Sequence, residues 1–91
     1  MTLNDLLKVA EYRLNLRSLK ILLALRETKT ATMSTISAST KVSPPALTRL
    51  ADHLEVCGYA ARRFSADRRV TWLDLTPSGE AVLADIEGGE A

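Results

Sequence analysis

The stretch SPPALTRLADHLEVCGYAARRFSADRRVTWLDLTPSG, residues 43–79, decides the fold of this chain. It predicts a helix from Pro44, because proline suits the first helical position and Ser43 can accept a hydrogen bond from the free amides there. Apolar residues recur at spacings of three and four and form a stripe that should face the core: Leu47, Leu50, Ala51 and Leu54. The helix should end at Gly58, since glycine tolerates the left-handed conformation that closes a last turn.

The opposite face of this helix is predicted to contact a binding partner. Its side chains are short or form hydrogen bonds, so the helix can approach a partner closely. They are Pro45, Ala46, Thr48, Arg49, Asp52 and His53.

An arginine-rich β-hairpin should follow. Two β-favouring runs, residues 59–64 and 70–75, flank a polar loop that lacks the Asn-Gly signature of a tight turn. Arginines at its base and tip are placed to enter a minor groove or meet phosphate: Arg62, Arg63, Arg68 and Arg69. Asp67 is expected to orient one guanidinium by a bidentate pairing. The alternative is that these arginines only keep the hairpin soluble and block edge pairing.

A second helix should precede the first. Thr32 can cap a short helix over residues 33–39, whose inward side chains would be Met33, Ile36 and Ser37. A turn over residues 40–42, pinned to the core by Val42, then leads to Ser43. Two helices joined by so short a turn fit the helix-turn-helix of DNA-binding proteins.

Two further helices are predicted nearer the N-terminus. One runs from Leu16 to about Glu27 with Asn15 as its cap, and it should form the scaffold through Leu16, Leu19, Leu22, Leu23 and Leu25. The other covers residues 2–14, with Leu3, Leu6, Leu7, Ala10 and Leu14 at helical spacing. This N-terminal helix either packs only within its own domain or supplies a two-fold interface, and the dimer is favoured because two half-sites raise affinity and specificity together.

The sequence resembles the MarR family of winged-helix transcription regulators between Leu14 and Leu83. The resemblance is carried by the order and spacing of LTRL (47–50), LE (54–55), GY (58–59), Arg62, DRR (67–69) and LTPSG (75–79). It implies that residues 44–56 enter the major groove while the hairpin, or wing, lies along the backbone or minor groove. It also implies that the arginines of the DRR motif contact DNA near the wing, held by Asp67.

The chain departs from that family in two places. Typical members are longer and dimerise through extended helices at both ends, whereas residues 85–91, DIEGGEA, are too polar and glycine-rich to predict a continuing helix. The wing loop is also shorter than the family's common form.

Length and composition predict a single domain. A chain of 91 residues with 46% hydrophobic and few aromatic residues can bury one small core and fits a mostly helical bundle. Together with the predicted elements, the resemblance implies a fold that is mostly α with a small β-hairpin wing, a winged helix-turn-helix. Residues 1–87 would form this DNA-binding domain, with 1–14 as the dimerisation helix and 88–91 as a flexible acidic tail. No apolar run approaches a membrane span and no secretion signal is recognised, so the expected location is cytoplasmic.

Charge is distributed unevenly although the net charge is only +1. Residues 1–40 hold six basic and three acidic groups, residues 41–72 again six and three, and residues 73–91 none and five. A basic body with an acidic end is therefore predicted, in which the acidic end aids solubility, repels DNA from the wrong face or contacts a partner's basic patch.

Catalysis finds no support in the sequence. The single Cys57 and single His53 form no triad or metal-ligand spacing, and there is no phosphate-binding glycine loop, so no enzyme activity, metal or cofactor is expected. Cys57 should be a small core residue rather than a redox thiol, and His53 a groove contact or a solvated residue. Strand alternation places Trp72 opposite Leu73, where it can stack on the stem of Arg63 or meet a partner.

The predicted function is sequence-specific binding of double-stranded DNA by a transcription regulator, a repressor that binds an inverted repeat as a homodimer. The alternatives are a winged-helix module with a protein partner, and a DNA-binding accessory factor in replication, recombination or phage and plasmid control. The predicted DNA contacts are Lys41, Ser43, Pro45, Ala46, Thr48, Arg49, His53, Arg62, Arg63, Arg68 and Arg69.

Overall fold

The computed structural model describes residues 3–87 and confirms a winged helix. Its elements in chain order are α1 (Leu3–Glu11), α2 (Leu16–Arg26), β1 (Thr30–Thr32), α3 (Met33–Thr40), α4 (Pro44–Cys57), β2 (Ala60–Phe64), β3 (Thr71–Leu75) and α5 (Pro77–Ile86). None of these helices combines the length and apolar character that crossing a membrane requires. The predicted acidic tail, residues 88–91, lies outside the described residues.

The helix-turn-helix forms as the sequence predicts. The Thr32 hydroxyl accepts a hydrogen bond from the Thr35 amide at 3.1 Å, which caps α3. Val42 is buried in the turn, where its carbonyl accepts a 2.6 Å hydrogen bond from the Ser37 hydroxyl. This bond between α3 and the turn fixes the direction in which α4 leaves.

Helix α4 packs its predicted stripe into the core, with Leu50 only half-buried. Gly58 ends the helix at φ 82°. Ser43 occupies the cap position, but the expected side-chain hydrogen bond is absent. Pro45 contributes to this absence, because it has no N–H and so removes one of the two amides, at the second and third helical positions, that usually donate to a cap side chain.

The wing belongs to a three-stranded antiparallel sheet with the order β1-β3-β2. The hairpin of β2 and β3 was predicted, whereas β1 was not. The sequence of β1, Thr-Ala-Thr, is too short to show the alternation of apolar and polar residues that identifies a strand. Its register pairs Ala31 with Leu73, while β2 pairs Arg63 with Trp72. One face of the sheet therefore carries Leu73 to the core and the other presents Arg63 and Trp72 outward.

Helix α5 is the main element that the sequence analysis missed. The Thr76 hydroxyl caps it by accepting from the Gly79 amide at 3.0 Å, and Val82, Leu83 and Ile86 are buried against the core. The helix extends to Ile86, into the segment expected to be too polar. It does so because its apolar residues recur at helical spacing and their burial against the core stabilises the helix.

The two N-terminal helices differ from the predictions at Leu16 and at the end of α1, which stops at Glu11. Asn15 caps α2 through the Ser18 amide at 2.8 Å as expected, yet Leu16 is 59% exposed instead of buried. In α1 the leucine stripe is also exposed: Leu3 by 72%, Leu6 by 44% and Leu7 by 54%. Val9 and, after the helix, Leu14 contact the core in their place.

Candidate nucleic-acid interface

The outer face of α4 is open to solvent. Pro45, Thr48, Arg49 and Asp52 are exposed, whereas Ala46 is half-buried against the core. The Thr48 hydroxyl donates to the Pro44 carbonyl at 3.1 Å, which leaves its oxygen lone pairs available. Arg49 makes no ion pair within residues 3–87, so its guanidinium is free to meet an external acceptor.

The turn before α4 adds two exposed polar residues, Lys41 and Ser43. Lys41 ends α3 in the left-handed conformation, at φ 61°, and its amide donates to the Ser37 carbonyl at 2.9 Å. Its side chain and that of Ser43 therefore flank the start of α4.

Arg62 joins the wing to α4. Its Nε donates to Glu55 Oε1 at 2.7 Å, its backbone amide donates to Glu55 Oε2 at 3.0 Å, and its Nη2 pairs with Asp52. The hydrogen bond from the Arg62 amide is the main cause that lowers the pKa of Glu55. This clamp was not predicted, although the acidic pair at positions 52 and 55 faces a strand only a few residues away in sequence.

Arg63 lies on the outer face of the sheet. Its Nε and Nη2 donate to the two carboxylate oxygens of Asp74 at 2.9 and 3.1 Å, and the Thr30 hydroxyl donates to the same carboxylate. Its guanidinium carbon lies 5.3 Å from the centroid of the Trp72 ring, as the predicted stacking requires. The Arg63 hydrogen bond is the main cause that lowers the pKa of Asp74.

The wing tip holds two exposed arginines. Arg68 has φ 61°, and its guanidinium carbon lies 5.9 Å from the Phe64 ring centroid. The Arg69 side chain is 85% exposed and meets Asp67 through Nε alone, at 3.3 Å, so the expected bidentate pairing does not form. Asp67 instead accepts from the Arg69 amide at 3.1 Å and from the Ser65 hydroxyl at 2.9 Å, which fixes the loop.

His53 turns away from the outer face. Its Nε2 donates to the Arg13 carbonyl at 2.7 Å, which joins α4 to the turn after α1. This bond occurs because Arg13, at φ 62°, directs its carbonyl toward α4. Cys57 is half-buried instead of a core residue, with its Sγ 3.7 Å from the same Nε2.

Three acidic residues of the C-terminal segment pair with cations of α1, of α2 and of the loop after α2. On α5 and just after it, Asp85 pairs with Lys8, Glu80 with Lys29 and Glu87 with Arg26. The cations that make no ion pair among the described residues include Arg17, Lys20, Lys41, Arg49 and Arg68. The fold therefore separates charge, and the unpaired cations include α2 residues that the sequence analysis did not select.

Replacing Glu55 with Gln should make the protein less stable at pH 7 by about 1 kcal/mol, because a half-exposed charged hydrogen bond is lost. The folded-state pKa of Glu55 is lowered, so its stabilisation is present above the unfolded pKa and is lost as the pH falls through the folded pKa. E55Q should therefore lose less stability than the wild type on acidification from about pH 5.

Thermal unfolding followed between pH 7 and pH 3 measures this difference. Glu27→Gln is the control. Glu27 is exposed, and its substitution removes the same charge without touching the ion pairs of Arg62 with Asp52 and Glu55. If E55Q and the wild type lose stability in parallel on acidification, Glu55 is not held as described.

Comparison with known proteins gives the family. A model of the MarR family matches residues 14–69. The structure of YusO from Bacillus subtilis, 28% identical, aligns over 94% of this chain and 62% of its own with a TM-score of 0.85. NadR in complex with 4-hydroxyphenylacetate, 24% identical, aligns over 92% and 60% with a TM-score of 0.81.

A third structure, reduced AbfR bound to DNA, is 24% identical and aligns over 89% of this chain and 60% of its own with a TM-score of 0.78. The search of curated proteins gave no match. The chain spans about three fifths of the length of these three solved relatives. Because the family match covers more than half of the sequence and the fold agrees with it, the chain belongs to the MarR family of transcription regulators.

Proposed function

We propose that this protein is a sequence-specific regulator that binds double-stranded DNA and represses transcription by occupying an inverted repeat as a homodimer. The observation that carries this proposal is the exposed outer face of α4 with the unpaired Arg49, next to the unpaired Lys41 in the turn before it and together with the unpaired Arg68 at the wing tip. The role places the protein in the cytoplasm with its DNA.

Direct reading of bases falls to the α4 face in this proposal. Arg49 has the reach and the donors to make a bidentate contact with guanine, and Thr48, Pro45 and Ala46 allow close approach. Lys41 and Ser43 meet the backbone beside the helix, and Arg68 and Arg69 meet the backbone or minor groove from the wing. The neighbouring AbfR structure, which is bound to DNA, supports the choice of partner.

Three predicted contacts take a different part. The ion pairs of Arg62 and Arg63 support positioning roles for these residues, Arg62 holding the wing against α4 and Arg63 bracing the outer sheet face. The hydrogen bond from His53 to Arg13 likewise supports a structural role for the imidazole. Each can still approach DNA only at the cost of these internal bonds.

The homodimer rests on the leucines of α1. Leu3, Leu6 and Leu7 are exposed on α1, whereas Val9 of the same helix is buried. Such a stripe is stabilised when a second copy covers it, and duplication over two half-sites strengthens binding. The same stripe also favours a second candidate function, a winged-helix module that docks a different protein.

Selection of bound duplexes from a random pool tests the proposed function. Enrichment of an inverted repeat, with half-sites about one helical turn apart, is the expected result. Affinity for random duplex should also fall steeply with salt, because phosphate contacts release counterions. If no sequence is enriched and the retention of duplex by the protein does not depend on salt, the proposed DNA-binding function is wrong and the protein-docking module is favoured.

Substitution of Arg49 should separate base reading from phosphate binding. Arg49→Ala is expected to weaken binding to the selected site by about 1–3 kcal/mol and to relax preference at one position. Arg69→Ala should weaken selected and random duplexes alike and make the salt dependence shallower by about one unit of slope.

Equilibrium titrations of both variants on both duplexes, at several salt concentrations, measure these effects. Arg26→Ala is the control, because Arg26 lies in the last turn of α2, where it already pairs with Glu87. Equal losses on both duplexes for Arg49→Ala would exclude a base contact for this residue.

A further inference from the structure

A basic recess lies beside the start of α4, and the residues of α2 that form its other wall have received no role above. It is a cavity of about 340 Å³ between α2, the turn after α3, and α4. Its walls carry Arg17, Lys20 and Lys41 together with the Ser43 hydroxyl, and no acidic side chain lines it. Ala46 forms its edge on α4.

The cations of this recess have no counter-charge in the described part of the chain. Arg17, Lys20 and Lys41 make neither an ion pair nor a side-chain hydrogen bond there. At the other end of α2, by contrast, Arg26 pairs with Glu87. Three positive groups around one cavity repel each other, and a bound anion removes that repulsion.

The backbone at Lys41 makes this lysine a convenient position for a test. Its φ of 61° lies in the left-handed region, which costs a residue with a Cβ roughly 1–2 kcal/mol and which glycine enters freely. Arg13, Lys29 and Arg68 adopt the same conformation, so the backbone alone assigns no role to the Lys41 side chain. Glycine at this position would remove the side chain and its charge without adding strain.

Ordinary helix-terminus binding does not explain the recess. Pro44 and Pro45 begin α4, so two of the amides that usually donate to an anion at a helix start are missing and the Ala46 amide alone remains before the bond from the Leu47 amide to the Ser43 carbonyl. The donors are instead the three cations and the Ser43 hydroxyl, which the helix start leaves without a capping bond. This donor set fits a phosphate group, which accepts from guanidinium and ammonium groups together.

We infer that the recess binds one phosphate of the DNA backbone, so that Arg17 and Lys20 extend the DNA interface onto α2. The inference rests on the proposed function. Ala46, at the edge of the recess, lies three residues before Arg49 and therefore on the same side of α4. A duplex whose bases meet Arg49 carries its backbone across the recess.

The double variant Arg17→Gln/Lys20→Gln tests this inference against Arg26→Gln/Lys29→Gln. Both variants remove two charges, but residues 17 and 26 are about 13 Å apart along α2, beyond the Debye length of about 10 Å at 0.1 M salt. The first variant should bind selected and random duplexes about tenfold more weakly at 0.1 M salt. Its salt slope should fall by about one to two units, whereas the control should keep the wild-type slope.

Lys41→Gly separates binding from folding at the same recess. Glycine suits the left-handed backbone, so the melting temperature should stay equal to that of the wild type or rise. The salt slope of DNA binding should nevertheless fall by about one unit. A lysine with only a structural role would give the reverse, a lower melting temperature with an unchanged slope.

The outcomes distinguish this inference from the proposed function. If the wild type shows no salt-dependent affinity for duplex DNA, the proposed function itself fails. If the wild type binds DNA but Arg17→Gln/Lys20→Gln behaves as its control does, the inference is overturned and the proposed function stands. Titration with pyrophosphate, followed by NMR, tests a free phosphorylated molecule as the other source of phosphate. If the wild type binds pyrophosphate saturably and the double variant loses this binding but keeps its DNA affinity, the recess binds a free phosphorylated molecule and the inference is overturned.

Discussion

Gly79→Ala is expected to lower the stability of this protein by about 3 kcal/mol, although alanine normally stabilises a helix relative to glycine. A Cβ at position 79 would lie 2.2 Å from the Tyr59 carbonyl oxygen and 2.7 Å from Leu75 Cδ1. The first turn of α5 would have to move away from Tyr59 and Leu75. A loss of this size corresponds to a melting temperature roughly 15 °C lower for a domain of this length.

Two controls show whether space is the cause. Gly58→Ala meets no atom within 4 Å but is strained at φ 82°, so it should cost only about 1 kcal/mol. Ser78→Ala changes an exposed residue in the same turn as Gly79 and should stay within about 0.5 kcal/mol of the wild type. Thermal unfolding monitored by circular dichroism measures all three. If Gly79→Ala is no worse than Gly58→Ala, the close contact with Tyr59 does not exist.

The contact at Gly79 also explains why the LTPSG segment is informative in sequence. The Thr76 hydroxyl donates to the Gly58 carbonyl at 2.6 Å and accepts from the Gly79 amide at 3.0 Å. The Thr76 amide donates to the Tyr59 carbonyl at 3.2 Å. One short motif thus joins α5 to the end of α4 and the start of the wing.

Local signals predicted the helix-turn-helix well because each carries its own physical cause. Proline at position 44, a β-branched cap at Thr32 and glycine at position 58 act within one turn of the backbone, so they can be recognised without knowledge of the fold. Strand β1 and helix α5 were missed for the opposite reason. Thr30 to Thr32 form a strand only because β3 pairs with them, and α5 is stabilised by burial of Val82, Leu83 and Ile86.

The arginines show where sequence reasoning about a site stops. Arg62, Arg63, Arg68 and Arg69 look alike in sequence, and all four were expected to meet DNA. Their difference arises from partners far along the chain or across the sheet: Arg62 finds Glu55, and Arg63 finds Asp74 and Trp72. A count of positive residues cannot reveal this, since it depends on which carboxylates the fold brings near.

Leu7→Glu is expected to dissociate the proposed homodimer and to weaken binding to the inverted repeat by roughly 10²- to 10⁴-fold, the range by which linked half-sites raise affinity. Leu7 is 54% exposed in one chain, so the substitution should leave the fold of the monomer intact. In a two-fold interface the change occurs twice, and each carboxylate would lose its water against an apolar surface. Asn4→Glu is the matched control, because Asn4 is exposed on the same helix but lies off the leucine stripe.

Sedimentation of both variants, together with titration of a duplex holding one or two half-sites, separates assembly from DNA contact. Leu7→Glu should sediment with the mass of one chain and bind both duplexes with similar weak affinity, because each monomer still presents an intact α4. Asn4→Glu should remain a dimer that prefers the two-half-site duplex. A Leu7→Glu protein that stays dimeric would place the two-fold interface elsewhere, and a monomeric wild type that binds the inverted repeat tightly would remove the need for one. The exposed leucines of α1 would then belong to a different protein partner, since an apolar stripe of this kind is stabilised only when it is covered.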